Sequence, residues 1–444
     1  MLTREDNDLL TRVGPGTAMG SLLRQYWMPL LFSEELPEPD CAPKRVRLLG
    51  EDLIAYRDTS NRVGLLANAC PHRGASMFFG RNEGDGLRCV YHGWKFDVTG
   101  TCTDMPNEPA ESNFKHKIRI AAYECRERNG LLWAYMGPQT PPPPLPDLEF
   151  NMQPDNIPFM WRSLRACNWM QAMEGDIDTS HVNFLHSNLD RVETTTVPGQ
   201  AMPGMRGAFR SLMWADASPK LEVVDTDYGC VYSAKRDQGN GTEYHRIHPF
   251  IFPFHTMIGG SIDEKNMVTS YNGKAWVPMD DDNTLILEWQ LRPSKPWSAE
   301  EKAQLLRVRN PWGYLADDNQ PGGAWKLAAN ASNNYQLDYD LQRTKLFFGV
   351  LSNPLQDGAV QESMSPIYDR SKEHLGTADA MIIRVRRRLL EAAKALRDRG
   401  AIPPCVNDAT QYRLRPVGAV LPKGTDWIRE TADRRRAFYS PMVS

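Results

Sequence analysis

The sequence predicts an α+β protein, in which a small all-β domain precedes a larger domain with an antiparallel sheet flanked by helices. Three observations support this fold class. The chain has 444 residues, which exceeds the usual size of a single hydrophobic core. Short β-type runs separated by turn residues begin near Arg45 and continue to about Gly137. The proline tract 141–144 then marks a domain boundary, because proline continues neither a strand ladder nor a helix.

The sequence divides into three parts. Residues 1–41 contain helical runs around LLTRV and SLLRQYW and are expected to pack on the larger domain as a helical segment. Residues 42–146 form the all-β domain. Residues 147–444 form the larger domain, in which a helix near 167–187 precedes four strand-like runs. Apolar residues at helical spacing between positions 381 and 396 predict one long amphipathic helix near the end.

Composition indicates an ordinary globular protein and excludes several classes of function. Hydrophobic residues make up 41% and charged residues 24% of the chain. No segment approaches the roughly 18 apolar residues of a membrane span, and the start, MLTREDNDLL, lacks the order of a signal peptide. We therefore expect a cytoplasmic protein without membrane contact. A net charge of -3 offers no positive field for nucleic acid, and eight cysteines without a signal peptide favour metal ligation or burial over disulfides.

Two cysteine–histidine pairs, CPH at 70–72 and CVYH at 89–92, predict a metal site. Sixteen residues separate them, and each pair is followed by a glycine. Two cysteines and two histidines form either a zinc site or a Rieske [2Fe–2S] cluster, and burial for packing alone is the third interpretation. A Cys-x-His pair places a thiolate and an imidazole on one tight loop, so each loop can give one ligand to each of two irons. The candidate ligands are Cys70, His72, Cys89 and His92.

A second metal motif lies in DIDTSHVNFLH, which spaces Asp178, His181 and His186 as Asp-x₂-His-x₄-His. On a helix, positions three apart share a face, so Asp178 can lie against His181 and orient its ring. His186, five residues further on, needs a slight adjustment to reach the same metal. Two imidazoles and one carboxylate form the facial triad that leaves positions on iron open for O₂. Histidines on a buried helix face are the alternative.

Both motifs resemble those of the Rieske non-haem iron oxygenases. The loops CPHRGA and CVYHGW have Ala75 and Tyr91 where respiratory Rieske proteins carry an additional cysteine. The resemblance is therefore to the oxygenase and ferredoxin branch, and a ferredoxin would not need the rest of this chain. Over nearly the whole sequence, GPGTAMG, RVRLLGEDLIAYRD and DRSKEHLGTAD are similar to the phthalate dioxygenase group. The resemblance implies an oxygenase (α) component with a Rieske [2Fe–2S] cluster and a mononuclear Fe(II).

The resemblance also implies roles for single residues. His181 and His186 would be ligands of the mononuclear iron, while Asp178 would be an electron-transfer bridge between iron centres. The third ligand must then be a distant carboxylate. Asp357 follows the strand-like run KLFFGVLSNP and sits where the family's ligand carboxylate usually falls. The other carboxylates considered are Glu362, Asp338 and Asp340.

Partners and reaction follow from the same resemblance. Members of this group are homotrimers or stacked trimers that receive electrons from a separate NADH-dependent reductase with FMN and a plant-type [2Fe–2S] cluster. The implied reaction is the hydroxylation of an aromatic carboxylate with O₂, as in phthalate dioxygenation. Demethylation or monooxygenation of a methoxy- or aryloxy-aromatic acid is the alternative within the enzyme class. A non-catalytic Rieske electron carrier is the alternative of another class, although a carrier has no use for the second metal motif.

An aromatic carboxylate needs a basic anchor in an otherwise apolar pocket. Arg246, inside the run HRIHPFIFPF, is the first candidate for substrate binding. Arg206, Arg210 and Lys220 also follow the iron motif and lie on or near predicted strands. The basic run Arg384–Arg388 is expected to be a solvated helix face, and a surface for the reductase is the alternative.

Overall fold

The computed structural model describes residues 2–109, 111–152, 158–189, 212–213, 215–259, 270–292 and 296–437. Its helices are α1 (Arg4–Thr11), α2 (Ala18–Leu23), α3 (Trp169–Ile177), α4 (Ala299–Arg309), α5 (Tyr339–Thr344), α6 (Asn353–Ser363), α7 (Ala380–Arg399) and α8 (Trp427–Glu430). Its strands are β1 (Trp27–Phe32), β2 (Lys44–Leu48), β3 (Glu51–Arg57), β4 (Val63–Ala67), β5 (Arg81–Asn82), β6 (Leu87–Arg88), β7 (Lys95–Phe96), β8 (Cys102–Asp104), β9 (Ala122–Arg128), β10 (Leu131–Tyr135), β11 (Phe159–Arg165), β12 (Lys220–Thr226), β13 (Gly229–Asp237), β14 (Thr242–Ile251), β15 (His255–Gly259), β16 (Tyr271–Pro278), β17 (Thr284–Leu291) and β18 (Val417–Pro422).

The first domain consists of two antiparallel sheets. Six strands pair in the order β1-β10-β9-β4-β3-β2, and the short strands β5-β6-β7-β8 form a second, small sheet. Cys70 follows β4, and Cys89 follows β6 directly. The two cysteine–histidine loops are therefore connections at strand ends, as the sequence predicts.

The N-terminal segment differs from the prediction in one respect. Helices α1 and α2 contact α7 of the larger domain. The run WMPLLF, however, is strand β1, which pairs with β10 and joins the first sheet. All six of its residues are buried. A continuous apolar run buried on both faces is stable as a strand between two layers, whereas a surface helix would expose one side of it.

The larger domain is built on an antiparallel sheet in the order β11-β17-β16-β15-β14-β13-β12, with β18 added to β14. Its register pairs Tyr232 with His248, Phe250 with Thr256, and Thr256 with Lys274. Directly opposed residues share a face of a sheet, so the even-numbered residues of β13 to β17 all lie on one side, here called the even face. Buried polar side chains of this face include Tyr232, Arg236, Arg246, His248, Thr256 and Glu288.

Helix α3 is shorter than the predicted helix at 167–187. It begins after the N-cap Asn168 and ends at Ile177, and Asp178 is extended, with ψ of 118°. The carboxylate of Asp178 accepts a hydrogen bond from the backbone N–H of Ser180 at 2.7 Å. Such a local turn competes with continuation of the helix, so the chain leaves α3 before a single 3₁₀ turn at His181–Asn183.

Helix α7 confirms the long amphipathic helix, but only part of its basic run is a solvated face, because Arg387 is exposed and Arg386 is buried. Arg384 and Arg388 both form ion pairs with Asp225 of β12. Arg386 is 3% exposed and forms a 2.5 Å ion pair with Glu174 of α3. Arg384, Arg386 and Arg388 connect α7 to the sheet and to α3, so the prediction of a solvated face is wrong for them, whereas a surface for the reductase stays a prediction. Neither α7 nor another helix in the described ranges is long and apolar enough to cross a membrane.

Candidate functional site

The two cysteine–histidine loops share one backbone conformation. In each loop the cysteine N–H donates to the carbonyl oxygen five residues further on, at 2.8 Å in both cases. Gly74 and Gly93 donate back to the carbonyl oxygens of Cys70 and Cys89, at 2.8 and 3.0 Å. Both glycines have φ of 78°, a left-handed conformation that costs other residues free energy. The loops thus present two equivalent cysteine–histidine pairs toward one another.

The four side chains of these loops fit a metal group. Cys70 and Cys89 are each 2% exposed, and burial raises the pKa of Cys70 to about 11. The rings of His72 and His92 meet edge to face at a centroid distance of 4.4 Å. The Nδ1 atoms of both rings are buried and have no hydrogen-bond partner among the described residues. An orphaned buried imidazole nitrogen costs free energy, which a bound metal would remove.

The spacing of these donors favours a binuclear cluster over zinc. A tetrahedral zinc ion with bonds of about 2.0–2.3 Å brings its donor atoms to roughly 3.5 Å of one another. In the described part of the chain, the only three such donors that all lie within 4.8 Å belong to His181, His186 and Asp357. The cysteine–histidine donors are not gathered around a single point. Two irons, one held by each type of ligand, fit that wider arrangement.

The donors of His181, His186 and Asp357 converge on one point. The Nε2 atoms of the two histidines are 3.2 Å apart, and their rings are edge to face. Asp357 Oδ1 lies 3.2 Å from His186 Nε2 and 3.8 Å from His181 Nε2. Three donors at these distances can bind a single ion on one side and leave its other positions open, which is the geometry of a facial triad.

Neighbouring side chains fix which nitrogen of each histidine faces this point. Asp178 Oδ2 lies 3.3 Å from Nδ1 of His181. Gln356 donates its amide to the carbonyl oxygen of Val350 at 2.7 Å, so its Oε1 accepts from Nδ1 of His186 at 2.6 Å. Both Nδ1 atoms therefore carry the proton, and both Nε2 atoms keep a lone pair for a metal. Gln356 was not recognised in the sequence, although it stands next to Asp357.

The tertiary structure brings Asp357 to the histidines across a long sequence separation. A β-bridge joins Asn188 to Leu346, and Phe347 N–H donates to the carbonyl oxygen of Ser187 at 3.0 Å. The chain then enters α6, so Asp357 lies on a helix. The predicted strand before it is wrong, because residues 345–352 form turns and bends apart from the single bridge residue Leu346.

The other carboxylates considered are engaged elsewhere. Glu362 accepts hydrogen bonds from the hydroxyl group of Tyr335 and from the backbone N–H of Ala166, the latter at 3.1 Å. Asp338 caps α5, and Asp340 forms an exposed ion pair with Arg343. Among these candidates, only Asp357 belongs to the converging trio.

Electrostatics keep this site in the protonation states that a metal requires. Burial alone would raise the pKa of Asp357, but His186 and His181 hold it well below its usual range. Burial alone would lower the pKa of His181, but the hydrogen bond that its Nδ1–H donates to Asp178 and the charge of Asp357 outweigh burial and raise it. Asp357 is therefore ionised at neutral pH, whereas protons compete with a metal for His181 at higher pH than for an ordinary histidine.

We expect a pH dependence of metal retention that follows from this shift. As pH falls through the raised pKa of His181, the imidazole gains a proton and can no longer bind a metal. Loss of the mononuclear metal should therefore begin at a higher pH than it would at a site whose histidines have the ordinary pKa. In Asp178→Asn the charge that raises this pKa is absent, so the midpoint should move to lower pH. Metal content after gel filtration at graded pH measures both, and an unchanged midpoint in the variant would contradict the stated cause.

Gln356→Leu tests the orientation of His186. Leucine keeps the buried volume but removes the acceptor for Nδ1, so the ring is free to rotate and change tautomer. We expect about a 10- to 100-fold loss of affinity for the mononuclear metal. Metal titration of the apoprotein measures this loss. Gln361→Leu is a control, because Gln361 of the same helix is also buried but contacts Arg165 instead. Equal losses in both variants would point to general destabilisation of α6.

Two arginines of the even face approach the segment between α3 and His181. Arg236 Nη2 lies 3.3 Å from the hydroxyl oxygen of Thr179, and Arg246 Nη1 lies 3.3 Å from the same atom. Arg236 is fully buried and Arg246 is 7% exposed. Among the described residues, neither forms an ion pair with a carboxylate. Burial and the charge of Arg246 lower the pKa of Arg236 to about 10.

The remaining charges of the even face are neutralised. Lys274 Nζ donates to Asp176 Oδ1 at 2.5 Å, and Arg309 pairs with Glu288. Arg236 and Arg246 thus place two guanidinium groups without a carboxylate partner among the described residues at Thr179, two residues before His181 of the converging trio.

Arg246 is the sequence candidate that the structure brings to this position. Arg206 and Arg210 lie outside the described residues, and Lys220 is exposed on β12. Arg236 and the His248–Tyr232 pair were missed, the latter joined by a 3.0 Å hydrogen bond. Strict alternation along YSAKRD and YHRIHPF places them on the face of Arg246, and this signal could have identified them.

A binuclear-cluster site in a small β domain, combined with an open site of two histidines and one carboxylate, defines a Rieske non-haem iron oxygenase. Comparison with known families agrees with this class. The Rieske [2Fe–2S] domain family matches residues 26–124, and the family described as LigXa C-terminal domain like matches residues 134–441. The chain belongs to the Rieske ring-hydroxylating oxygenases, as an oxygenase α subunit.

Several characterised proteins are similar to almost the whole chain. The 3-chlorobenzoate-3,4-dioxygenase oxygenase subunit of Comamonas testosteroni is 38% identical over 98% of this chain and 99% of its own. The phthalate 4,5-dioxygenase oxygenase subunit of Pseudomonas putida is 34% identical over 96% and 94%. The 5,5'-dehydrodivanillate O-demethylase oxygenase subunit of a Sphingobium strain is 32% identical over 91% and 84%.

Solved structures share the fold. Dicamba monooxygenase bound to 3,6-dichlorosalicylic acid superposes with a TM-score of 0.57 at 16% identity, covering 85% of this chain and 100% of that one. The oxygenase of carbazole 1,9a-dioxygenase, solved in complex with ferredoxin, gives 0.52 at 19% identity, over 83% and 90%. The predicted fold class is confirmed. The protein is an oxidoreductase that uses O₂, with a Rieske [2Fe–2S] cluster and a mononuclear iron.

Proposed function

We propose that this protein is the terminal oxygenase component that hydroxylates an aromatic carboxylate with O₂ and with electrons from a reductase. The observation that carries the proposal is the position of Arg236 and Arg246, two buried guanidinium groups beside the trio of His181, His186 and Asp357. The chlorobenzoate and phthalate dioxygenase relatives, whose names state aromatic acid substrates, support it. Such a reaction would serve the catabolism of aromatic compounds.

We assign the metal ligands accordingly. Cys70 and Cys89 would hold one iron of the [2Fe–2S] cluster, and His72 and His92 the other through Nδ1; the orphaned nitrogens support this assignment. His181, His186 and Asp357 would hold the mononuclear iron through Nε2 and Oδ1. When bound, the cluster supplies single electrons, and the mononuclear iron supplies O₂ activation. The protein holds both imidazole tautomers and, through the buried even face, limits access of water.

Asp178 is proposed as the electron-transfer bridge between subunits of a homotrimer. Its carboxylate lies against His181, and a quarter of its side chain remains exposed. Val90 and Tyr91, which precede His92 in the cluster loop, are exposed. In a trimer, Asp178 would accept hydrogen bonds from His181 and from His92 of the partner subunit. One carboxylate would then join the two metal sites and fix both rings.

The substrate would bind with its carboxylate group directed toward the two arginines and its aromatic ring on the far side of that group. Arg246 is the proposed first anchor, and Arg236 the second, because both point at Thr179 with donors that no carboxylate of the described residues occupies. Arg206 and Arg210 remain substrate-binding candidates on sequence grounds. Burial of both guanidinium groups strengthens binding, because an anion there does not compete with water for their N–H donors.

The proposed electron donor is a separate NADH-dependent reductase with FMN and a plant-type [2Fe–2S] cluster. The relatives are named as oxygenase subunits, and the carbazole oxygenase was solved with a ferredoxin; both support a separate donor. We place the protein in the cytoplasm, where NADH is available. None of the eight cysteines forms a disulfide, which suits a reducing compartment.

Oxygen uptake with a reductase and a panel of aromatic acids tests the proposed function. The panel contains phthalate, chlorobenzoates and methoxybenzoates, and ¹⁸O₂ identifies the reaction, because dioxygenation places two labelled atoms in the product. Formaldehyde release with one labelled atom would instead establish the O-demethylase alternative, which the dehydrodivanillate relative supports. Metal analysis should give about three irons per chain. No uptake with any acid, together with only two irons, would overturn the proposal in favour of an electron carrier.

Arg246→Met tests the anchor. Methionine retains the apolar stem but removes a charge-assisted hydrogen bond, a loss of about 1.5–3 kcal/mol. We expect KM for the aromatic acid to rise roughly 10- to 150-fold, with a smaller change in kcat. Lys220→Met is the matched control, because Lys220 is exposed on β12. An unchanged KM in Arg246→Met would remove it from the substrate site.

A further inference from the structure

The imidazole rings of His72 and His92 pack against different side chains. The ring of His72 is stacked on Trp94, with a centroid distance of 4.4 Å and an interplanar angle of 13°. Trp94 is 3% exposed, and Phe114 covers it edge to face at 6.0 Å. Phe114 itself is 41% exposed. A continuous series of aromatic rings thus leads from the molecular surface to His72.

The surface around Phe114 is basic. Phe114 begins the 3₁₀ turn FKHK, and Lys115, Lys117 and Arg119 follow it within five residues. None of these three cations forms an ion pair within the described residues, and Arg119 donates only to the oxygens of Thr101 and Thr99. The nearby acidic residues are Asp104, which pairs with Arg88, Glu108, which accepts from Ser112, and the exposed Glu111.

This segment contrasts with the other basic run of the chain. The arginines at 384, 386 and 388 are all neutralised by carboxylates of β12, α3 or the segment before α7. On a protein whose net charge is -3, an unpaired basic group around an exposed aromatic ring is a distinct local feature. Aromatic anchors with a charged rim are typical of protein–protein contacts, in which the charges raise the association rate.

We propose that Phe114, Lys115, Lys117 and Arg119 form the electron-entry surface, the docking site for an acidic electron-donor protein. The occupant is a protein whose redox centre lies beneath a negatively charged patch that complements the three cations. One electron leaves the reduced donor and reaches the cluster by way of Phe114, Trp94 and His72, and no bond forms or breaks. His92, whose neighbours are Tyr91 and Val90, is left for the contact with the next subunit. The inference rests on the proposed function in requiring an external donor.

The test uses the full-length protein with its metals and a reduced plant-type [2Fe–2S] ferredoxin as the acidic probe. The variant Lys115→Glu/Lys117→Glu/Arg119→Glu reverses the surface charge. At low ionic strength its second-order rate constant for reduction of the cluster should fall at least about tenfold, and the salt dependence seen in the wild type should disappear or reverse. Affinity for the oxidised probe, measured by interferometry, should fall in parallel. Phe114→Ser should weaken binding without changing the salt dependence.

The matched control is Arg4→Glu/Lys220→Glu/Arg399→Glu. It makes the same change in net charge at exposed positions that are distant in sequence from residues 114–119. Its rate constant should stay within about twofold of wild type at physiological ionic strength, where distant charges are screened. Reduction by dithionite, followed by a single turnover with O₂, should be normal in every variant. If wild type itself gives no product there, the proposed function fails, whereas the docking result still stands. Equal losses in the two charge-reversal variants, or dissociation of the oligomer by the first, would overturn the electron-entry surface.

Discussion

His186→Ala is expected to lose the mononuclear iron and all measurable turnover while keeping the visible spectrum of the Rieske cluster. The variant removes one of three converging donors, and the 3.2 Å contact with Asp357 disappears with it. Loss of a single outer hydrogen bond to a ligand costs about 10- to 100-fold, so loss of the ligand itself should cost more than about a hundredfold in metal affinity. The cluster loops use other residues in another domain, which is why the cluster should remain.

Iron and acid-labile sulfide analysis measures this result directly. Wild type should contain about three irons per chain and His186→Ala about two, with unchanged sulfide. Asp357→Ala should behave in the same way, whereas Glu362→Ala should keep its third iron, because Glu362 contacts Tyr335 and the backbone of Ala166. If Asp357→Ala retained the iron and Glu362→Ala lost it, the assignment of the third ligand would be wrong.

Asp178→Asn is expected to lower product formation by about 10- to 100-fold while changing iron affinity by less than about tenfold. Asparagine keeps an oxygen for the N–H of Ser180, so the turn after α3 is preserved. It removes the negative charge of the carboxylate, which accepts a hydrogen bond from His181 and, in the proposed trimer, another from His92 of the partner subunit. The connection between the two metal sites should therefore weaken, while all three iron donors remain in place.

Stopped-flow absorbance separates the two effects. After chemical reduction and mixing with O₂ and substrate, the variant should show normal initial reduction of the cluster but slow reoxidation and little product. Asp340→Asn is the matched control, because Asp340 is exposed and pairs only with Arg343. Near-normal product from a single turnover of Asp178→Asn would show that electrons reach the iron by another route.

The sequence alone determined the local chemistry of both metal sites. A cysteine and a histidine two or three residues apart must share one loop, and Asp178 and His181 must lie close together, whether the chain between them is helical or turned. For that reason the wrong length predicted for α3 did not alter the site. Most strands, although not β1, and the helix α7 were also predictable, because apolar periodicity over one element depends only on neighbouring residues.

The tertiary structure decided everything that depends on distant pairing. The trio requires the contact between residues 188 and 346, which no local pattern encodes, and only this contact selects Asp357 over Glu362. Strand register places Arg236 diagonally across from Arg246, and ion pairs with distant carboxylates neutralise the basic run of α7. In each case the outcome depends on which side chains meet across the core. A sequence fixes the charge and volume of a residue, but its partner is set by packing.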